Sequence, residues 1–461
     1  MAATSLSSLP PEILLDIFMH TVPLRNIYTT PIPVIGWRSW SRRDQWDLDC
    51  PWSLAQVCRS WRSLALNYPP LWSSFVITTS VMDRDIPLLR LQLTRSGVAP
   101  LSIFVWYTPS THYSDSERPQ FEKFMARLIG ERSRWKRLAV RLDVLKGTVL
   151  DDAIQDMPLL EEIVFSGGGL SEKSFLVENA PRLTCVVLGD MSSTAISRVP
   201  MLPWHQITTY KACYVRGATH LAFLTQAAAS LVDADIDFGT SNDGLNRVKA
   251  STAVVLPKLR RLVVTNNKFL DTLTAPVLVE LFLPYAEYNY VVPFLHRSRC
   301  TLTGLILAGS NSKAADIPSF LEHTPALRYF AIDYNSDKSG RLLSMLVRAL
   351  IVDSTRQPEA VAILCPSLVC FALGDRTDAL ICYKTDSTDL REWLVDIVRS
   401  RAEAAERGTC AALREVNVYG KRVRLGSAAF RMAKLGVLRT ENLRGKAGRN
   451  AVRRWRKYES Y

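Results

Sequence analysis

The chain has 461 residues, 48% of them hydrophobic and 22% charged, a balance ordinary for a folded chain with room for more than one domain. It contains no run of about 18 or more apolar residues, and its start, Met1-Ala2-Ala3-Thr4-Ser5, lacks the basic residues and apolar run of a secretory signal, so we expect neither a membrane span nor secretion. The net charge of +13 is uneven: from Lys421 to Tyr461 thirteen Lys or Arg face only Glu441 and Glu459, leaving the rest of the chain nearly balanced.

Two stretches near the start read as one unit. In Leu9-Pro10-Pro11-Glu12-Ile13-Leu14-Leu15-Asp16-Ile17-Phe18 the prolines suit a first helical turn, where a missing N–H costs nothing. Ile13, Leu14, Ile17 and Phe18 then fall on one helical face. A second helix is predicted from Ser53, which has capping-box spacing to Gln56. Leu54, Val57, Cys58, Trp61 and Ala65 form its apolar stripe, with Arg59 and Arg62 turned away, and Pro69-Pro70-Leu71-Trp72 closes it. Two helices this short cannot cover both apolar faces by packing on each other, so the segment needs the rest of the chain or a partner.

The LPPEIL…IF start and the VCRSWRSLA helix resemble an F-box, the helical module that docks on the Skp-type adaptor of SCF ubiquitin ligases. The resemblance covers residues 6–23 and 52–75. It implies that Leu9, Pro10, Ile13, Ile17, Val57 and Trp61 hold the adaptor or the module's own core. One departure is an insert at 24–50, with Trp37, Trp40, Trp46 and mixed charge, which reads as a long surface loop.

Asp85–Ser96 is predicted as a connecting helix stopped by Gly97, and Pro100–Trp106 as a strand. Thereafter a pattern L-x-x-Φ-x-Φ, with Φ apolar, recurs. Taking the middle apolar residue as marker gives positions 138, 163, 186, 234, 262, 281, 305, 330, 371 and 416, with one degenerate unit near Ile207. Leu413–Val418 is the last full unit, and helix-like segments at Arg341–Ile351 and Leu390–Arg407 lengthen the two widest gaps. The spacing is that of leucine-rich repeats, which these segments resemble loosely: the Asn that closes the strand turn is mostly missing, with Asn266 and Asp375 as approximate stand-ins.

The expected fold is therefore α/β. A short N-terminal helical F-box (1–75) and a connecting helix (76–98) precede an irregular leucine-rich-repeat solenoid (99–420), with parallel strands on the concave face and helices or loops on the convex one. A basic tail (421–461) follows. The alternative is an α/β domain with helical crossovers, for which nineteen residues between 262 and 281 leave little room.

No catalytic constellation emerges. Six histidines (20, 112, 205, 220, 296 and 323) are dispersed, with no HExxH, and no CxxC or GxSxG occurs. Ser166-Gly167-Gly168-Gly169 lacks the Lys-Ser/Thr of a phosphate loop and reads as a repeat turn. The carboxylate pairs Asp151/Asp152 and Glu161/Glu162 read as solvated charge. Nine scattered cysteines point to reduced thiols in the cytosol and/or nucleus, with Cys58, Cys185 and Cys370 on predicted apolar faces as small core residues.

We expect no enzyme, no catalytic residue, no cofactor and no metal. The resemblance implies a substrate receptor that binds a Skp-type adaptor, through it a cullin, and an unknown target protein on strand x positions, which carry no periodic signature. A repeat scaffold without ligase recruitment is the alternative. Nucleic-acid contact through Arg453-Arg454-Trp455-Arg456-Lys457 is a minor one.

Overall fold

The computed structural model describes residues 9–21, 50–77, 83, 85–105, 118–141, 156–166, 177, 179–189, 202–213, 215, 217–238, 253–283, 288–308, 316–333, 346, 348–352, 363–374, 387–420 and 438–442. The chain is mixed α/β and divides into two compact units, Met1–Phe223 and Leu224–Tyr461.

The first unit opens with helices α1 (Pro11–Thr21), α2 (Cys50–Val57) and α3 (Arg59–Leu66). The second predicted helix differs in two ways. It begins at Cys50 and not at Ser53, with Pro51 in a first turn that loses nothing by lacking an N–H. It also breaks at Cys58, whose extended backbone (φ −158°) makes it the N-cap of α3, its Sγ accepting from the N–H of Trp61 at 3.4 Å. Cys58 is exposed and not a core residue. A 3₁₀ turn at Pro69–Trp72 follows, burying Leu71 and Trp72.

Strand β1 (Ser74–Ile77) and helix α4 (Asp85–Ser96) come next. The helix has the predicted bounds and stops at Gly97, whose φ of +51° suits a residue without a Cβ. The unit continues with β2 (Leu101–Val105), α5 (Arg118–Gly130), β3 (Trp135–Arg141), β4 (Glu162–Ser166), β5 (Cys185–Gly189) and β6 (Thr209–Cys213). Each strand pairs in parallel with the next in sequence. Helix α6 (Gly217–Ala227) carries the boundary to the second unit.

There the strands are β7 (Asp233–Asp237), β8 (Val254–Val255), β9 (Arg261–Val264), β10 (Leu273–Thr274) and β11 (Glu280–Leu283). Helix α7 (Tyr288–Ser298), β12 (Gly304–Ala308), α8 (Asp316–Leu321), β13 (Tyr329–Asp333), β14 (Cys370–Gly374), α9 (Ser387–Glu406), β15 (Glu415–Gly420) and β16 (Leu438–Asn442) complete it. Strands β7, β9 and β11 to β16 pair in parallel in that order, while β8 pairs only with β10. No crossover helix joins β9 to β11: a 3₁₀ segment at Asn267–Thr272 fills the short connection, N-capped by Asn266.

The register follows the sequence markers. In the first unit Phe75, Ile103, Leu138, Ile163, Val186 and Tyr210 pair in succession, all buried. In the second, Ala234, Leu262, Leu281, Leu305, Phe330, Phe371, Val416 and Leu438 pair in succession, those from Ala234 to Phe371 being buried. Three residues ahead of most markers stands a buried leucine (160, 183, 231, 259, 278, 302, 327, 368, 413). Each such side chain contributes ~1.5–3 kcal/mol on burial.

The degenerate unit near Ile207 has Ile207 in the leading place and Tyr210 as its marker. Leu413–Val418 is not the last strand, because β16 follows within the segment predicted as a tail. Cys185 and Cys370 are half-buried and not core residues, since each stands one position before a marker, on the other face of its strand.

Long side chains tie successive segments together. Arg134 donates to the carbonyls of Ser96 and Ala99, Gln206 to those of Ala180 and Leu183, and Arg297 to those of Leu270 and Leu273. Fully buried Arg401 donates to Leu364 and Cys365. Several of these carbonyls also accept a backbone N–H, Ser96 from Ala99, Ala180 from Leu183, Leu270 from Leu273 and Cys365 from Leu368, so the side chains add a second bond to each.

Candidate functional site

The six residues of the sequence reading separate into two groups. Leu9 and Trp61 are half-buried against the helical core formed by Leu14, Phe18, Ala55, Ala65, Leu71 and Trp72, with the Trp61 ring 4.8 Å from that of Phe18. Pro10, Ile13, Ile17 and Val57 face outward; Ile13 is 50%, Ile17 40% and Val57 60% exposed.

The cause lies in the helix geometry. The carbonyl of Pro10 accepts from the N–H groups of Ile13 and Leu14, which fixes the first turn of α1. Leu14 and Phe18, four apart, then point to the core. Pro10, Ile13 and Ile17, at i, i+3 and i+7, form the flanking stripe that the core leaves uncovered. Single exposed apolar residues are ordinary, whereas here several stand in a row on one helix.

The core beneath this row is fixed to the first strand. Trp72 donates its indole N–H to the Ala65 carbonyl at 2.7 Å and meets Trp52 edge-on at 4.9 Å. The Arg95 guanidinium of α4 lies 4.7 Å from the Trp52 ring and 4.4 Å from the Trp72 ring. Gln92, one turn earlier, donates to the Ser74 carbonyl of β1 at 2.8 Å.

In each unit the strand faces opposite the marker residues carry two register rows. One register row there is polar: Arg137 sits 3.5 Å from Glu162, and Arg261 reaches Asp233 at 2.9 Å and Glu280 at 4.0 Å. Burial raises the carboxyl pKa of both Glu162 and Glu280, with the neighbouring arginines opposing it. Gly304 leaves room beside Glu280, since a Cβ there would stand 3.1 Å from the Glu280 Cγ.

The next row is apolar: Phe104, Ala139, Val164 and Val187 in the first unit, and Val263, Phe282, Ile306, Ala331 and Ala372 in the second. The expectation of exposed x positions without a periodic signature does not extend to this row, whose side chains are buried apart from half-buried Ile306. The x between the two Φ residues is itself apolar in these strands, a signal present in the sequence.

Among the described residues no group of three or more His, Cys, Asp or Glu converges to hold a metal ion, and no helix is long and apolar enough to cross a membrane. The insert at 24–49, Asp151/Asp152, Gly167–Gly169, Asp375, His112 and the Arg453–Lys457 patch lie outside the described residues. No family model matches the chain, and no curated protein matches it.

Proposed function

We propose that the chain is a substrate receptor of an SCF-type ubiquitin ligase: its N-terminal helices act as an F-box on a Skp-type adaptor, and through it a cullin. The following strands form an irregular leucine-rich-repeat solenoid that captures a protein target. The single observation that carries this reading is the outward row Pro10, Ile13 and Ile17, joined by exposed Val57, on a helical module that has a core of its own around Leu14, Phe18, Leu71 and Trp72.

The chain supplies no nucleophile or cofactor in this role, which belongs to the cytosol or nucleus. Its contribution is positional, raising the effective concentration of a target lysine near the activated ubiquitin conjugate. The part-exposed polar row opposite the markers is what that target would meet, since the apolar row beside it is buried. The alternative is a repeat scaffold without ligase recruitment, favoured by the insert that separates the two F-box-like motifs in sequence.

The test is binding of the purified chain to a Skp-type adaptor, compared with a Pro10→Ala/Ile13→Asp variant. Losing one buried isoleucine contact lowers affinity on the order of 10- to 100-fold, and an introduced carboxylate lowers it further. The variant should keep the wild-type unfolding midpoint, because both residues are exposed. Phe18→Ala, which removes a fully buried ring, should instead lose stability by ~3–5 kcal/mol. A folded wild-type chain that does not bind the adaptor would sink the receptor reading and leave the scaffold.

A further inference from the structure

We propose that His296 and His323 form a two-imidazole site for a transition-metal dication of the Zn2+, Ni2+ or Cu2+ class. His296 stands on the last turn of α7 and His323 two residues beyond α8, on successive helices that lead into β12 and β13. Both are exposed, and their ring centroids are 4.7 Å apart with the planes at 68°. Among the described residues no hydrogen bond or ion pair engages either imidazole, so all four ring nitrogens remain for a ligand.

The separation fits a chelate. Metal–nitrogen bonds of ~2.0–2.1 Å, at coordination angles of roughly 90–110°, put two imidazole centroids about 4.5–5.2 Å apart. The backbones beneath are anchored. Phe294 and Leu295 bury the last turns of α7, and Phe320 and Leu321 bury the end of α8. The N–H groups of His323 and Thr324 are held by the carbonyls of Phe320 and Leu321, each at 3.0 Å.

The nearby charges permit a cation. The guanidinium of Arg297 is drawn away to the carbonyls of Leu270 and Leu273, and Glu322 places a carboxylate next to His323 in sequence. Two protein ligands leave the remaining coordination positions to water. Imidazole suits Zn2+, Ni2+ and Cu2+ and discriminates against Mg2+ and Ca2+, which require oxygen donors. A bound ion would join two consecutive helices and stabilise the second unit by mass action.

The experiment titrates the untagged full-length chain with ZnCl2, NiCl2 and, as a control, MgCl2 by calorimetry. It also records the electron paramagnetic resonance spectrum with Cu2+. The expected result is saturable binding of one Zn2+ or Ni2+, no binding of Mg2+, and a Cu2+ spectrum with two nitrogen ligands. His296→Ala and His323→Ala should each lose at least ~10-fold in affinity, and the double variant should lose little more, because one imidazole alone is not a chelate. Circular dichroism checks that these surface variants stay folded. A folded wild-type chain with no saturable binding overturns the proposal. So does binding that survives in both single variants, or a Cu2+ spectrum with fewer than two nitrogens.

Discussion

The phenolic oxygen of Tyr210 and the Nδ1 of His220 lie 2.9 Å apart with both side chains fully buried. Tyr210 holds the register place that aliphatic residues or phenylalanine hold in the neighbouring strands, so its hydroxyl brings a polar atom into the core. His220, on α6, gives that atom a partner. Trp204 stacks on Phe223 at 4.6 Å and closes the aromatic surround.

Burial drives the His220 pKa down from 6.5 to about 3, so the folded chain keeps the ring neutral. Between those values the unfolded chain takes up a proton that the folded chain refuses. Stability from this group is therefore complete above the unfolded pKa and falls as pH drops through the window, by up to ~1.4 kcal/mol per pH unit. Urea unfolding at about pH 7.5 and about pH 5 should show that loss. His220→Phe should flatten the slope while lowering stability at neutral pH by ~1–3 kcal/mol, because the Tyr210 hydroxyl loses its partner. Equal slopes in the two proteins would contradict the assignment.

Arg95 between Trp52 and Trp72 links α4 to the helical core. Replacing it with Ala removes both cation–π contacts and the apolar stem, with an expected cost of ~1–2 kcal/mol. The change should appear in tryptophan fluorescence. A double-mutant cycle of Arg95→Ala with Trp52→Ala isolates the pair, and strict additivity would mean that it carries no coupling.

Arg401 is the buried member of the side chains that tie one segment to the previous one. Arg401→Met keeps much of the volume but leaves the carbonyls of Leu364 and Cys365 without this donor, for an expected loss of ~1–3 kcal/mol. Arg297→Met removes similar bonds at an exposed residue and should cost less, since water can replace the guanidinium. Chemical denaturation of the two variants compares them directly, and a larger loss at Arg297 would reverse the argument.

Most of the strand ladder was legible because leucine leads so many strands, three residues ahead of the marker. The strands that were missed or misplaced substitute that residue or its followers. β1 has Trp72 in the leading place, and Ile207 leads β6 with Tyr210 as marker, so neither fits a leucine pattern. In β16 the residue two after Leu438 is Thr440, which breaks the apolar alternation.

The helical module was legible as two motifs, whereas the division between Leu14 and Phe18 inside and Ile13 and Ile17 outside was not. All four are apolar and share one broad helical arc, and only the position of the second and third helices decides which side is covered. The break at Cys58 was hidden for a similar reason: cysteine is seldom an N-cap, and the flanking residues continue a helical rhythm.

The constant phase of the ladder also sets where this chain tolerates changes in length. Nineteen residues separate Leu262 from Leu281 and forty-five separate Phe371 from Val416, yet both pairs stand side by side. A connector can therefore grow or shrink by a whole helix without disturbing its neighbours. One residue gained inside a strand would exchange the two faces, turning Ile163 and Phe165 outward and bringing the Glu162 carboxylate among the leucines.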